Sequence, residues 1–288
     1  MIWMTNWRTS STWIILYYPW PMEAVRCMFY NTFYSLDGRN IFANAIQHMY
    51  VYWGVSYKEL ETHEQKTLKQ IKKHKPDIVG LVEVMNWEQL KTLKKWLKSA
   101  WYITKVSVGE DLWFNNKKSC CLLAYKPHFN FKRRKRNLPP DNKSRGMGSD
   151  AIWVYDEEKD FHYIIMHLSN WRFSPHHRSI QAQQIEHIVT CLNQQKKHDN
   201  FIVMWDFNLH KKKFHNKIVN PLRWYTAISH DSYVLANKNT LTKRIFESKI
   251  DHILVRNLSI NASFASTWIS DHKALIIDCK LRKKTTKN

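Results

Sequence analysis

The sequence predicts a mixed α/β sandwich, and three observations lead there. Apolar, β-branched runs stop abruptly at polar residues; helical stretches alternate with some of these runs; other runs follow one another with no helix between. The polar residues at the run ends are Asn31, Glu83, His167, Asp206, Asn208 and Asp251. In layered α/β folds the ligand lies at such strand ends, so the chain is expected to carry one mouth lined from many strands.

The elements follow in order. Residues 13–20 are apolar but far too short to span a bilayer. Pro and aromatics crowd them, and no small-residue cleavage site follows, so they make a poor signal peptide. Residues 1–20 are therefore expected to be an extra edge strand or a loose N-terminal extension, residues 21–282 one domain, and residues 283–288 a basic tail, with a cytoplasmic or nuclear location favoured. Val25–Asn31 reads as a first core strand and 40–49 as a short helix. Good helix formers run from Lys58 to Lys73, with Leu60, Thr67, Leu68 and Ile71 on one stripe and Pro76 closing the segment. The near-continuous apolar run from Asp77 to Glu83 suits a strand buried on both faces. Asn86 and Gln89 form a capping box for a helix that buries Trp87, Leu90, Leu93 and Leu97.

Strands are then expected at 101–108, 119–125, 149–155 and 161–167. Between them Lys132-Arg133-Arg134-Lys135-Arg136 precedes a Pro-Pro loop, and Arg133, Arg134, Lys135 and Arg136 are expected on an exposed hairpin arm. Pro175 suits the first position of a helix whose buried stripe is Ile185, Ile188 and Leu192. Phe201–Trp205 is the central strand, 209–248 a polar, basic loop, and 249–255 and 273–281 the last two strands.

The formal net charge is +21, from 45 Lys plus Arg against 24 Asp plus Glu. Such an excess favours a polyanionic partner, nucleic acid first and an anionic membrane surface second, with plain solubility as the alternative. The five cysteines form no CxxC pair and sit mostly in apolar runs, which points to buried thiols instead of disulfides or a zinc site. Six glycines occur where average usage would give roughly 20, so turns must recruit other residues for positive φ. A monomer is expected.

Asp206 and Asn208 leave the same face of an extended chain. A carboxylate beside a carboxamide can hold a water and a phosphate oxygen together; an Asx turn is the plainer alternative. The segments FYN (29–31), PDIVGLVEV (76–84), MHL (166–168), VMWDFN (203–208), KIDHILV (249–255) and SDH (270–272) together resemble the endonuclease/exonuclease/phosphatase superfamily. That group holds deoxyribonuclease I, AP endonucleases, neutral sphingomyelinases and inositol-polyphosphate 5-phosphatases. The resemblance implies a four-layer α/β/β/α sandwich, two mixed sheets face to face with helices outside, and a divalent cation, Mg2+ or Mn2+. It implies Glu83, Asn31 and Asp271 at the metal, Asp206 and Asn208 around the attacking water and phosphate, and His272 as the essential histidine oriented by Asp251. His167 matches a second histidine of the deoxyribonuclease and sphingomyelinase branches. His252, on the opposite strand face, reads as structural.

Chemistry agrees with that assignment. Phosphodiester oxygens repel nucleophiles, and a hard cation on oxygen ligands relieves the repulsion. A histidine held by a carboxylate can serve as base or acid near neutral pH.

Two positions depart from the family: Trp205 stands where Gly is usual and Val82 where Gln is usual. Trp205 is expected to crowd the mouth or push Asp206 aside. Three functions compete. A metal-dependent nuclease would grip phosphates with Arg133, Arg134, Lys135, Arg136, Lys211, Lys212 and Lys213. The others are a phosphatase or phosphodiesterase acting on phospholipid head groups or inositol phosphates, and a binding module without activity.

Overall fold

The computed structural model describes residues 24–32, 57–84, 87–111, 118–134, 150–168, 175–206, 215–222, 224–229, 233–234, 247–248, 251–268 and 272–281. The N-terminal extension, the helix expected at 40–49 and the basic tail lie outside them. In chain order the first half carries β1 (Val25–Asn31), α1 (Tyr57–His74), β2 (Ile78–Val84), α2 (Trp87–Ser99), β3 (Ile103–Asp111), β4 (Lys118–Tyr125) and β5 (Lys132–Arg133). β6 (Asp150–Asp156), β7 (Phe161–His167), α3 (Pro175–Asn193) and β8 (Asn200–Asp206) follow. The remainder holds β9 (Thr226–Ser229), β10 (Tyr233–Val234), β11 (Glu247–Ser248), β12 (Asp251–Arg256), β13 (Leu258–Trp268) and β14 (Lys273–Leu281).

The strands form two mixed six-stranded sheets, one ordered β13-β14-β1-β2-β4-β3 and the other β5-β6-β7-β8-β12-β9. Side-chain alternation sorts three apolar layers. Cys27, Phe29, Ile78, Val82, Tyr163, Ile165, Ile202, Met204, Ile253 and Leu275 pack between the sheets. Ile71 of α1 and Leu90, Leu93 and Leu97 of α2 cover the outer face of the first sheet, against Met28, Tyr30, Val79 and Leu81. Ile185, Ile188 and Leu192 of α3 cover the second, against Ile164, Val203 and Trp205. The result is the four-layer α/β/β/α sandwich. All five cysteines are buried and unbridged. Among the described residues no helix is long and apolar enough to cross a membrane.

Three expectations need correction. The stretch taken as a 209–248 loop contains a π-helical turn, His215–Val219, that buries Ile218, and the strand β9, which pairs with β12. It also contributes β10 and β11, which pair with each other. The C-terminal region holds three strands, not two: β13 pairs antiparallel with β14 along its length. Its sequence, LSINASFASTW, is rich in small polar residues of weak strand propensity, and an edge strand needs only one paired side. Finally, Arg133 and Arg134, the described part of the expected hairpin arm, do not stand free. Lys132 and Arg133 add a short edge strand to β6. Lys132 pairs with Glu157 at 2.7 Å, and Arg133 reaches the Val106 carbonyl and Ser107 Oγ at 3.3 Å. Arg134 donates to Gln195 Oε1 at 2.7 Å and lies over the rings of Trp153 and Tyr155.

The scarcity of glycine has a visible consequence at the end of α2. Tyr102 N donates to the Leu97 carbonyl and Trp101 N to that of Lys98, the paired bonds of a Schellman cap. The position needing left-handed backbone is Trp101, at φ 64°, where glycine is usual. Left-handed backbone costs a side-chain-bearing residue about 1–2 kcal/mol, and Trp101 is 79% exposed, so its ring returns little by burial. Trp101→Gly should therefore raise stability by about 1 kcal/mol, read as a higher urea midpoint with unchanged slope. At Gly80 the opposite holds. A Cβ there would lie 2.4 Å from Ile165 Cγ2 of the facing sheet, so the sheets approach too closely for a side chain. Gly80→Ala should lose about 1–3 kcal/mol to overpacking, measured in the same denaturation experiment.

Candidate active site

The site lies where β1, β2, β7, β8, β12 and β14 reach the same end of the sandwich. Cys27 and Phe29 of β1 face the inter-sheet layer, so Asn31, two further on, shares their direction. The same parity on β7 (Tyr163, Ile165), β8 (Ile202, Met204) and β12 (Ile253, Val255) brings His167, Asp206 and Asp251 into the seam. Register aligns them: His167 is opposite Asp206 on β7–β8 and Asp206 is opposite Asp251 on β8–β12.

Glu83 obeys a different rule. Ile78 and Val82 face the seam, so strict alternation would turn Glu83 outward to the helices. The β2–β4 pairing instead breaks register between Leu81 and Val84, and Glu83 takes left-handed backbone, φ 56°. This bulge re-aims the side chain, and the Glu83 carboxylate meets His167 Nε2 at 2.8 Å. Such a backbone conformation persists only where the surrounding structure holds it.

The six described candidates for the catalytic and metal roles are buried: Asn31, Glu83, His167, Asp206, Asp251 and His272. Asn31 Nδ2 donates to Asp206 Oδ2 at 2.9 Å, bridging the two sheets. His167 Nε2 stands 4.0 Å from Asp206 Oδ2. His272 Nδ1 meets Asp251 Oδ2 at 2.7 Å, which fixes the ring orientation and leaves Nε2 as the nitrogen for chemistry. Burial raises the Asp206 carboxyl, and the neighbouring Asp251 charge raises it further against the pull of His272 and His167. At His167 burial opposes protonation, but the charge and hydrogen bond of Glu83 prevail, with Asp206 helping, and lift it to about 9.

The donor set fits a hard divalent cation. Ligand atoms of Asp206, Asp251 and His272 all lie within 4.8 Å of one another, and Glu83 and Asn31 add oxygen donors of the preferred type. Asp206 is raised by burial first and by the Asp251 charge second, and a cation would oppose both. Two expected members, Asn208 and Asp271, lie outside the described residues, as do Lys135, Arg136, Lys211, Lys212 and Lys213. Asn31, expected beside the metal with Glu83, is also the amide that holds Asp206. Arg133 and Arg134 are not brought to this cluster. Arg133 pairs with Val154, four residues along β6 from Asp150, the partner of His167, or about 13 Å at strand rise.

Trp205 does not crowd the mouth. Its parity is opposite to that of Asp206, and it is fully buried in the layer beneath α3. His252 likewise faces away, buried. One contributor escaped sequence reasoning: the Thr32 hydroxyl lies 3.0 Å from the Val82 carbonyl and 2.8 Å from that of Glu83. A threonine after a strand-end amide carries no recognisable pattern, so nothing in the chain announced it.

Residues 58–272 match the model of the Endonuclease/Exonuclease/phosphatase family. The chain belongs to that family, whose members are hydrolases acting on phosphoester bonds. No curated protein sequence matches it. Solved structures share its fold at low identity. The endonuclease/exonuclease/phosphatase of Beutenbergia cavernae is 14% identical with a TM-score of 0.66, covering 90% of this chain and 72% of its own. The human Nocturnin catalytic domain with bound sulfate is 17% identical with a TM-score of 0.60, covering 90% and 95%. A humanized D. rerio TDP2 is 12% identical with a TM-score of 0.60, covering 89% and 99%.

The His167–Glu83 pair links stability to pH. An unfolded histidine titrates near 6.5, and the folded pKa is raised to about 9. The stabilisation is therefore fully present below about 6.5 and lost as pH rises through about 9. In chelator, wild-type stability should fall across that window by on the order of 3 kcal/mol. The slope should flatten in His167→Gln, and an equally steep fall in that variant would remove His167 as its source.

Proposed function

We propose that this protein is a metal-dependent phosphodiesterase, and that its substrate is nucleic acid. The observation that carries the reading is the convergence of Asn31, Glu83, His167, Asp206, Asp251 and His272 at one buried strand-end cluster, each side chain delivered by a different strand or strand end. A magnesium or manganese ion held by Glu83 and Asn31, and by Asp271 as the family resemblance implies, would supply charge neutralisation at the phosphate oxygens.

The chain's own groups do the rest. Asp206, held by Asn31, orients the attacking water with Asn208 and can accept its proton, because burial has raised its carboxyl. His272 moves a proton at Nε2, since Asp251 occupies Nδ1. His167 keeps the Glu83 carboxylate in place and brings positive charge to the cluster.

Nucleic acid is favoured over a lipid head group by charge. A body at +21 attracts a polyanion over distance, while the acidic cleft takes the cation. Among proteins of the same fold, D. rerio TDP2 has been solved with a single-strand DNA product. Exposed Lys132 and Arg133, with Lys135, Arg136 and Lys211–Lys213, would meet phosphates as positioning contacts. Arg134, engaged with Gln195 and two rings, would contribute mainly to the fold.

Plasmid DNA, RNA and a choline phospholipid should be assayed in parallel, with and without chelator. Cleavage of a polynucleotide that stops in chelator and returns with Mg2+ or Mn2+ is expected. Turnover of the phospholipid alone would move the reading to a sphingomyelinase-like enzyme, and no turnover at all to a binding module. His272→Ala should lower the rate by roughly 10²–10⁴-fold with the circular dichroism spectrum unchanged. Asp251→Asn should cost less, since it misorients the imidazole without removing it. Full activity in both variants would take the proton transfer assigned to Nε2 away from His272.

A further inference from the structure

We propose that Thr32 is a positioning residue whose hydroxyl locks the bulge that turns Glu83 into the cleft. The inference rests on Glu83 being a cation-holding carboxylate of the proposed phosphodiesterase site. Alternation along β2 would send Glu83 to the helix side; only the broken register and the left-handed backbone reverse it. A reversed residue has a competing state in which β2 continues regularly, so something must hold the bulge.

Thr32 is placed to do so. It follows the last residue of β1, is buried, and approaches the bulge from the parallel neighbour. Its backbone N–H donates to the Val82 carbonyl at 3.0 Å, and its hydroxyl spans the carbonyls of Val82 and Glu83. The hydroxyl has one proton, shared between the two acceptors or given to either. The antiparallel neighbour holds the far side: Cys120 Sγ donates to the Val84 carbonyl at 3.3 Å. The backbone of residues 82–84 is thus gripped from both flanks, and the hydroxyl contact to the Glu83 carbonyl falls on the reversed residue itself.

Position strengthens the case. Asn31 and Thr32 are consecutive at the end of β1. Asn31 reaches across the seam to Asp206 of the second sheet, while Thr32 secures Glu83 of the first. One strand end therefore sets both carboxylates relative to each other, and with them the opening available to a cation. A regular β2 would carry the Glu83 carboxylate away from His167 and leave the cation one oxygen donor short.

Three variants test this. Thr32→Val keeps the shape and deletes the hydroxyl; Thr32→Ser keeps the hydroxyl and deletes the methyl; Glu83→Gln is the control for the underlying reading. Mn2+ affinity is measured on substrate-free protein by electron paramagnetic resonance of the free ion, beside thermal midpoints. The expected result is a tenfold or greater loss of affinity in Thr32→Val, with Thr32→Ser within threefold of wild type. Wild-type affinity in Thr32→Val, or equal losses in the Val and Ser variants, would overturn the proposal. If Thr32→Val yields no folded protein, the affinity ratio of Thr32→Ala to Thr32→Ser carries the same test with the same tenfold threshold. Glu83→Gln separates the two levels. Lost affinity there with none lost in Thr32→Val refutes the clamp alone, whereas wild-type affinity in Glu83→Gln refutes Glu83 as a cation ligand and the clamp's purpose with it.

Discussion

Negative charge buried at one end of the seam between two sheets is the constraint on which the site depends. Glu83, Asp206 and Asp251 are all buried at one end of the space between two sheets. Left alone, such carboxylates would protonate or repel one another. Each is given a partner instead. Glu83 faces His167, Asp206 takes the Asn31 amide, and Asp251 holds His272. The partners come from other strands than the acids they serve, so the electrostatics of the site are inseparable from strand order and register.

Close approach of the sheets makes that pairing possible. Asn31 crosses from the first sheet to Asp206 of the second, and Glu83 crosses to His167, over distances that short side chains can span. Gly80, with no room for a Cβ opposite Ile165, marks how near the two layers come on the strand that ends in Glu83. The apolar residues below, Val82, Ile165, Met204 and Ile253 among them, form a close-packed floor that gives the polar groups little freedom. The same layering disposes of Trp205. Because side chains alternate, a bulky ring one residue before Asp206 is absorbed beneath α3, and the cleft does not meet it.

The far end of the second sheet uses cations differently. Tyr155, His162, Phe201 and Arg256 form one cross-strand row, in which His162 stacks between Tyr155 and Phe201. Arg134 lies over the Tyr155 ring and Arg256 over that of Phe201. Burial, with these guanidiniums adding to it, pushes His162 down to about 2, so the ring stays neutral and acts as a packing element. Part of the chain's large positive charge is therefore structural, and a run of basic residues read from sequence mixes two roles that only contacts separate.

What the sequence by itself determined is the set of strands with their polar ends, and hence the family, the layers and the polar residues that gather at one buried strand-end cluster. Periodicity is local: Val25–Asn31, Phe161–His167 and Asn200–Asp206 each carry their buried face and terminal polar group within seven residues. Edge elements were not legible. β13 and β9 owe their extended form to neighbours in the sheet, and their own side chains say little. Most decisively, no pattern along the chain distinguishes Glu83 turned outward from Glu83 turned into the cleft. That direction was decided by the tertiary structure, because a bulge is set by what grips its backbone from either side, and Thr32 and Cys120 lie 51 and 36 residues from the carbonyls they hold.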